Sequence, residues 1–183
     1  MRNAVRRVLA GVLLSTVFLT GCGGEDGPVV WRNITVDLPD GWVVFERTAT
    51  TLSVANVPLG PLDSGDERPA PEGDVVAMFF SYEPDTLPGD WLALLEANGA
   101  ELEAEQQLIL ANDVPATQLV YRLTDEFTDI REMVVLIPSR GVVILAQPVP
   151  LAGDPSGPDV FLAYIDTFMR IVESLSFGAP VTD

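Results

Sequence analysis

Apolar positions along this chain change period twice. Ile34, Val36 and Leu38 alternate with polar residues, which predicts a half-buried strand over 31–38 that ends at the Pro39-Asp40-Gly41 turn. Two further short strands, 42–46 and 51–57, make the opening a β-meander. Val75 to Phe80 is apolar at every position, so 74–82 reads as an interior strand covered on both faces. The period then switches: Trp91, Leu92, Leu94 and Leu95 fall on helical spacing within 88–98, and Asn98-Gly99 is a stop signal. Strand patterning returns as two hairpins. One pairs 108–110 with 117–123 across Asn112-Asp113, and the other pairs 127–137 with 142–147 across Ser139-Arg140-Gly141. A last helix starts at Pro158, where Phe161, Tyr164, Ile165, Phe168 and Val172 form one stripe; 174–177 leads out of it. Antiparallel strands with one helix in the middle and a longer one at the end predict an α+β sandwich.

The N-terminus has a different pattern. Arg2, Arg6 and Arg7 precede an apolar stretch over 8–19, which closes on Leu19-Thr20-Gly21-Cys22. The stretch is shorter than the about 20 residues that span a bilayer as a helix, so it reads as a secretory signal. The ending looks like a bacterial lipobox. It implies removal of residues 1–21 and lipid attachment at Cys22, the chain's single cysteine, rather than a free thiol or an intermolecular disulfide. Residues 22–30 are then a lipidated tether, 31–178 a globular domain and 179–183 a tail. The eight residues between Cys22 and Trp31 reach at most ~28 Å, which keeps the domain near the membrane on the outer face of the cytoplasmic membrane.

Charge narrows the partners. All 27 acidic residues and only seven of the ten arginines follow residue 21, giving a formal net charge of −20. A chain so acidic does not suit nucleic acid, where Lys and Arg supply most of the affinity. It also avoids lying flat on anionic lipid. The expected partners are membrane lipid through acylated Cys22 and an envelope protein or small ligand.

Missing residue types exclude most catalytic chemistry. The sequence has no histidine and no lysine, which rules out Ser-His-Asp and Cys-His sites, histidine-ligated zinc, Schiff bases and P-loops. No cofactor is expected, and no enzyme activity. What remains is carboxylate, hydroxyl, arginine or oxygen-ligated calcium chemistry. The acidic stretch 58–73, with Asp63, Asp66, Glu67 and Glu72, then Asp74, is a candidate calcium loop, although it lacks D-x-D-x-D-G spacing and reads better as a solvated loop. Asp125, Glu126, Asp129 and Glu132 are the candidates for a carboxylate-dependent hydrolase, which needs two carboxyls about 5–10 Å apart. Glu101, Glu103 and Glu105 alternate and are expected to share one solvated strand face.

Four segments carry a family resemblance: "ITVDLPDGWVVFE", "LILANDVPATQLVYRL", "REMVVLIPSRGVVILAQ" and "FLAYIDTFMRIVESLSF". Together they resemble the PsbP-like fold family, including the LpqN type of bacterial lipoprotein. The resemblance implies a six- or seven-stranded antiparallel sheet flanked by helices. It also implies an accessory or binding role without a shared catalytic set.

Overall fold

The computed structural model of the protein describes residues 27–59, 73–85, 88–124, 129–149 and 158–179. Its first strands, β1 (Val29–Trp31) and β2 (Ile34–Val36), form a hairpin. They are followed by β3 (Val43–Arg47), β4 (Thr51–Ala55) and β5 (Val76–Tyr82), then helix α1 (Pro88–Ala97). The second half holds β6 (Glu101–Leu110), β7 (Val114–Thr124), β8 (Asp129–Ile137) and β9 (Val142–Pro148), then α2 (Pro158–Glu173) and β10 (Ser176–Phe177). Seven strands make one antiparallel sheet in the order β3-β4-β5-β9-β8-β7-β6, and β1-β2-β10 make a small second sheet. The architecture is therefore α+β, a mainly antiparallel sheet with helices.

Two expectations about the opening are corrected. The single strand over 31–38 is instead the last residue of β1, a tight reversal with Arg32 at φ 54°, and β2. The meander begins only at β3, because β2 pairs with β1 and β10 rather than with β3. The buried positions slip by one at the turn, from Val29 and Trp31 to Ile34 and Val36, and that single break across Arg32-Asn33 is the sequence's mark of the reversal.

Strands β5, β8 and β9 are apolar on both faces, and both faces are covered. On the inner face, Phe161, Phe168, Ile171 and Val172 of α2 are fully buried in one cluster with Val54, Met78, Phe80, Met133, Val135 and Ile144. Phe168 stacks 5.8 Å from Phe161 and meets the edge of Trp42 at 6.2 Å, geometries that add to the burial of each ring. Trp31, Ile34 and Val36 bring the small sheet into the same cluster, and the Trp31 indole donates to the Thr48 carbonyl at 2.9 Å.

The outer face carries a second cluster. Leu95 of α1 is buried with Leu119, Tyr121, Val134, Leu136 and Val143, and Trp91 and Leu92 pack against them. The stop at Asn98-Gly99 forms as expected: Gly99 takes φ 74°, its N–H donates to Glu96 and the Ala100 N–H donates to Leu95. That paired 6→1 and 5→2 closure satisfies carbonyls the helix leaves open and returns the chain to β6.

At the β8–β9 turn, Gly141 adopts φ 60°, and a Cβ there would stand 2.7 Å from the Pro84 backbone. Its carbonyl also accepts from the Glu83 N–H. Gly141→Ala must therefore strain the turn and displace the segment after β5. We expect a loss of about 2 kcal/mol, read as a fall in melting midpoint of roughly 4–8 °C by calorimetry.

Candidate functional site

Asp129 starts β8 and Glu132 is its fourth residue, and their odd spacing decides their environments. Successive side chains of a strand point to opposite faces, so residues three apart cannot share one. Asp129 stands beside Arg122 on the inner-face side of β7, where the guanidinium donates through Nε and Nη2 to the two carboxylate oxygens, each at 2.7 Å. This two-pronged hydrogen bond, with the added charge of Arg131, holds Asp129 below the usual carboxylate range. Glu132 faces the other way. It lies directly opposite Tyr121 and accepts a 2.6 Å hydrogen bond from its hydroxyl, and only 7% of Glu132 is exposed.

Burial raises the Glu132 pKa, and the tyrosine hydrogen bond offsets part of that rise. Burial also pushes the Tyr121 phenol far above its ordinary value, and the Glu132 charge and hydrogen bond push it further. The phenol thus keeps its proton and can donate to Glu132. Of the candidate carboxylates, Asp129 and Glu132 are not brought together: Asp129 is tied to an arginine at the surface, and Glu132 is buried on the opposite face. Asp125 and Glu126 lie outside the described residues.

The glutamates of β6 are also divided. A bulge between Leu102 and Ala104 inserts Glu103 as an extra residue, so alternation does not continue through it. Glu101 lies opposite Arg122, and Glu103 accepts from Arg131 Nε at 2.7 Å, which places both among the arginines. Glu105 lies opposite Leu119, on the other face. The expectation of one shared face is corrected by that single inserted residue.

Two shallow grooves mark the described surface. One, about 450 Å³, is lined by Val30, Trp31, Arg32, Arg47, Thr48 and Ala49. Its Arg32 guanidinium sits 3.7 Å above the Tyr82 ring and donates to the Ala49 carbonyl at 3.0 Å. The other, about 310 Å³, is lined by Gln107, Pro115, Ala116, Thr117, Pro138 and Ser139. Neither includes Asp129 or Glu132.

Among the described residues no group of three or more acidic or thiol side chains is placed to hold a metal ion. Cys22 and residues 60–72 of the acidic stretch lie outside them, so its calcium candidates Asp63, Asp66, Glu67 and Glu72 have no described position. No described helix is long and apolar enough to cross a membrane. The Tyr121–Glu132 pair was missed from sequence because it depends on the register of β7 against β8. Its one visible signal is an acid directly before the apolar run Met133 to Ile137.

No family model matches the sequence, and no curated protein matches it. Among solved structures, it is similar to a protein of unknown function, PA94 of Pseudomonas aeruginosa. The two are 13% identical, with a TM-score of 0.44 over 76% of this chain and 99% of that one.

The buried pair has a defined pH signature. The folded-state pKa of Glu132 lies above its ordinary value of 4.5, so the fold favours the protonated acid. Stability from this site is complete below the unfolded pKa and lost as pH rises through the raised folded one. In Glu132→Gln the side chain no longer ionises. The melting midpoint of the variant minus that of the wild type should therefore be more positive at pH 8 than at pH 4, and a constant difference across that range would contradict the assignment. Tyr121→Phe removes the donor from a buried acid and should cost about 1–3 kcal/mol at neutral pH, measured by denaturant unfolding.

Proposed function

We propose that this protein is a lipid-anchored, extracytoplasmic lipoprotein whose PsbP-like domain serves as a non-catalytic accessory or binding module. It is held on the outer face of the cytoplasmic membrane. The observation that carries this reading is Leu19-Thr20-Gly21-Cys22 closing an apolar segment that three arginines precede. Diacylation at Cys22 gives two chains, each contributing about 0.8 kcal/mol per buried methylene, which is what stable anchoring requires.

Three features support the domain half of the proposal. A seven-stranded antiparallel sheet carries a helix on each face, in keeping with the family arrangement. Asp129 and Glu132 face apart, which removes one pairing on which a carboxylate hydrolase would rest. The net charge of −20 keeps such a domain dispersed and clear of anionic lipid.

Acylation is directly measurable. Cells producing the full chain are fed an alkyne analogue of palmitate, and the protein is captured and coupled to a fluorophore. Wild type should carry the label and sediment with membranes, whereas Cys22→Ala should lose the label and membrane retention together. An unlabelled wild type, or equal labelling of the variant, would refute the anchor.

A further inference from the structure

The last strand of the main sheet has an unusual combination of length and exposure. β6 runs for ten residues and has one strand neighbour among the described residues, β7. Every residue from Glu101 to Gln107 is exposed, so solvent reaches this edge along most of its length. In an antiparallel ladder, alternate residues of an edge strand direct their N–H and C=O groups away from the neighbour they already pair with. Folded proteins usually protect such an edge by keeping it short or by placing Lys or Pro on it. Here the protection is partial: β6 has a bulge at Leu102–Ala104 and acids, but neither Lys nor Pro. The Ala104–Leu110 stretch beyond the bulge pairs with β7 in unbroken register.

Side chains along the strand define what would fit. Leu102 is 44% exposed and Ile109 71% exposed, the largest exposure among the described large apolar side chains. Ile109 lies opposite Pro115, beside the groove lined by Gln107, Pro115, Thr117 and Pro138. Glu101 and Glu103 stand on one face and Glu105 on the other, and β6 has no positive charge. We infer that β6 is a β-augmentation site for an extended basic segment of a partner protein. The segment adds an eighth strand through its main chain, sets basic side chains against Glu101 on one face and Glu105 on the other, and covers Ile109 with an apolar residue. A second copy of this chain is a poor occupant, because it brings three more acids and a further net charge of −20. This inference rests on the reading of the domain as a binding module and names the surface that binds.

The test uses the full chain purified in detergent and a capped eight-residue peptide of four valines followed by four arginines, which in antiparallel pairing sets valine against the Ile109 end of β6 and arginine, on both faces, against its acidic end. Fluorescence anisotropy gives its affinity, and hydrogen exchange followed by mass spectrometry gives protection of residues 101–110. Two comparison peptides separate strand addition from simple charge attraction. One has the same residues with alternate backbone amides N-methylated, and the other replaces arginine with glutamate. Strand addition predicts that the parent peptide binds at least tenfold more tightly than its N-methylated form and slows exchange within β6. It also predicts that Glu105→Arg weakens parent binding by about fivefold or more while leaving the melting midpoint in place. Equal binding of the parent and N-methylated peptides, no binding, or protection confined to another segment would each overturn the proposal. So would a dimer seen by light scattering without peptide and lost in Glu105→Arg, which would assign the edge to a second copy. Palmitate labelling at Cys22 does not depend on this edge, so failure here and failure of the anchored reading are separately visible.

Discussion

Burial on both faces of β5, β8 and β9 is the constraint that dictates the architecture. Val76, Ala77 and Met78, all five residues from Met133 to Ile137, and Val142, Val143 and Ile144 are each nearly inaccessible to water, although they alternate between the two sides. At about 25 cal/mol per Å² of apolar surface, leaving either side open would forfeit much of the folding free energy. A layer is needed on each. The aromatic stripe of α2 and the small β1-β2-β10 sheet supply one layer, and α1 contributes to the other. Coverage weakens away from this centre, so β3 is half-buried and β6 is open to solvent.

Period-two alternation also sorts the ionisable groups. On β8, Asp129 and Arg131 share the side that carries Arg122, while Glu132 is turned under the outer-face layer beside Tyr121. The same strand thus holds one carboxylate that a guanidinium keeps ionised and another that burial pushes toward its neutral form. These opposite shifts need no catalytic purpose. They arise whenever two acids sit at odd spacing on a strand that is open on one side at its start and buried on the other.

What was legible in the sequence tracks how local each signal is. The α2 stripe, the α1 stop at Asn98-Gly99, the interior strand β5 and the turn after β8 all depend on residues within a few positions of one another, and all formed as expected. The reversal at Arg32 is marked only by a one-residue slip in the alternation between Trp31 and Ile34, and Arg32-Asn33 lacks the Gly or Pro that usually signals a turn. The bulge at Glu103 was hidden because an inserted residue leaves the written pattern Glu-Leu-Glu-Ala-Glu intact while changing which face each glutamate occupies. The Tyr121–Glu132 bond was hidden for a third reason: it joins residues eleven apart through register, a property of two strands together. The candidate site was therefore legible only as a set of acids, without the pairing that determines their chemistry.

The arginines explain why this domain presents so one-sided a surface. Arg122 and Arg131 are bound to Asp129 and Glu103, and Arg32 lies over Tyr82 and donates to Ala49. Arg140 sits 5.2 Å from the Phe177 ring and donates to the Gly178 carbonyl, and Arg170 donates to Thr167. Their guanidinium groups tie the main sheet to the small one and fasten strand to strand, so positive charge is directed into intramolecular contacts. Most of the acids have no such counterpart, because 27 of them face only seven arginines beyond residue 21. On the proposed lipid anchor, a domain of this charge would be repelled from anionic headgroups. The same field acts over roughly 8–10 Å at physiological salt, so in the proposed strand addition it would favour the approach of a cationic segment over that range.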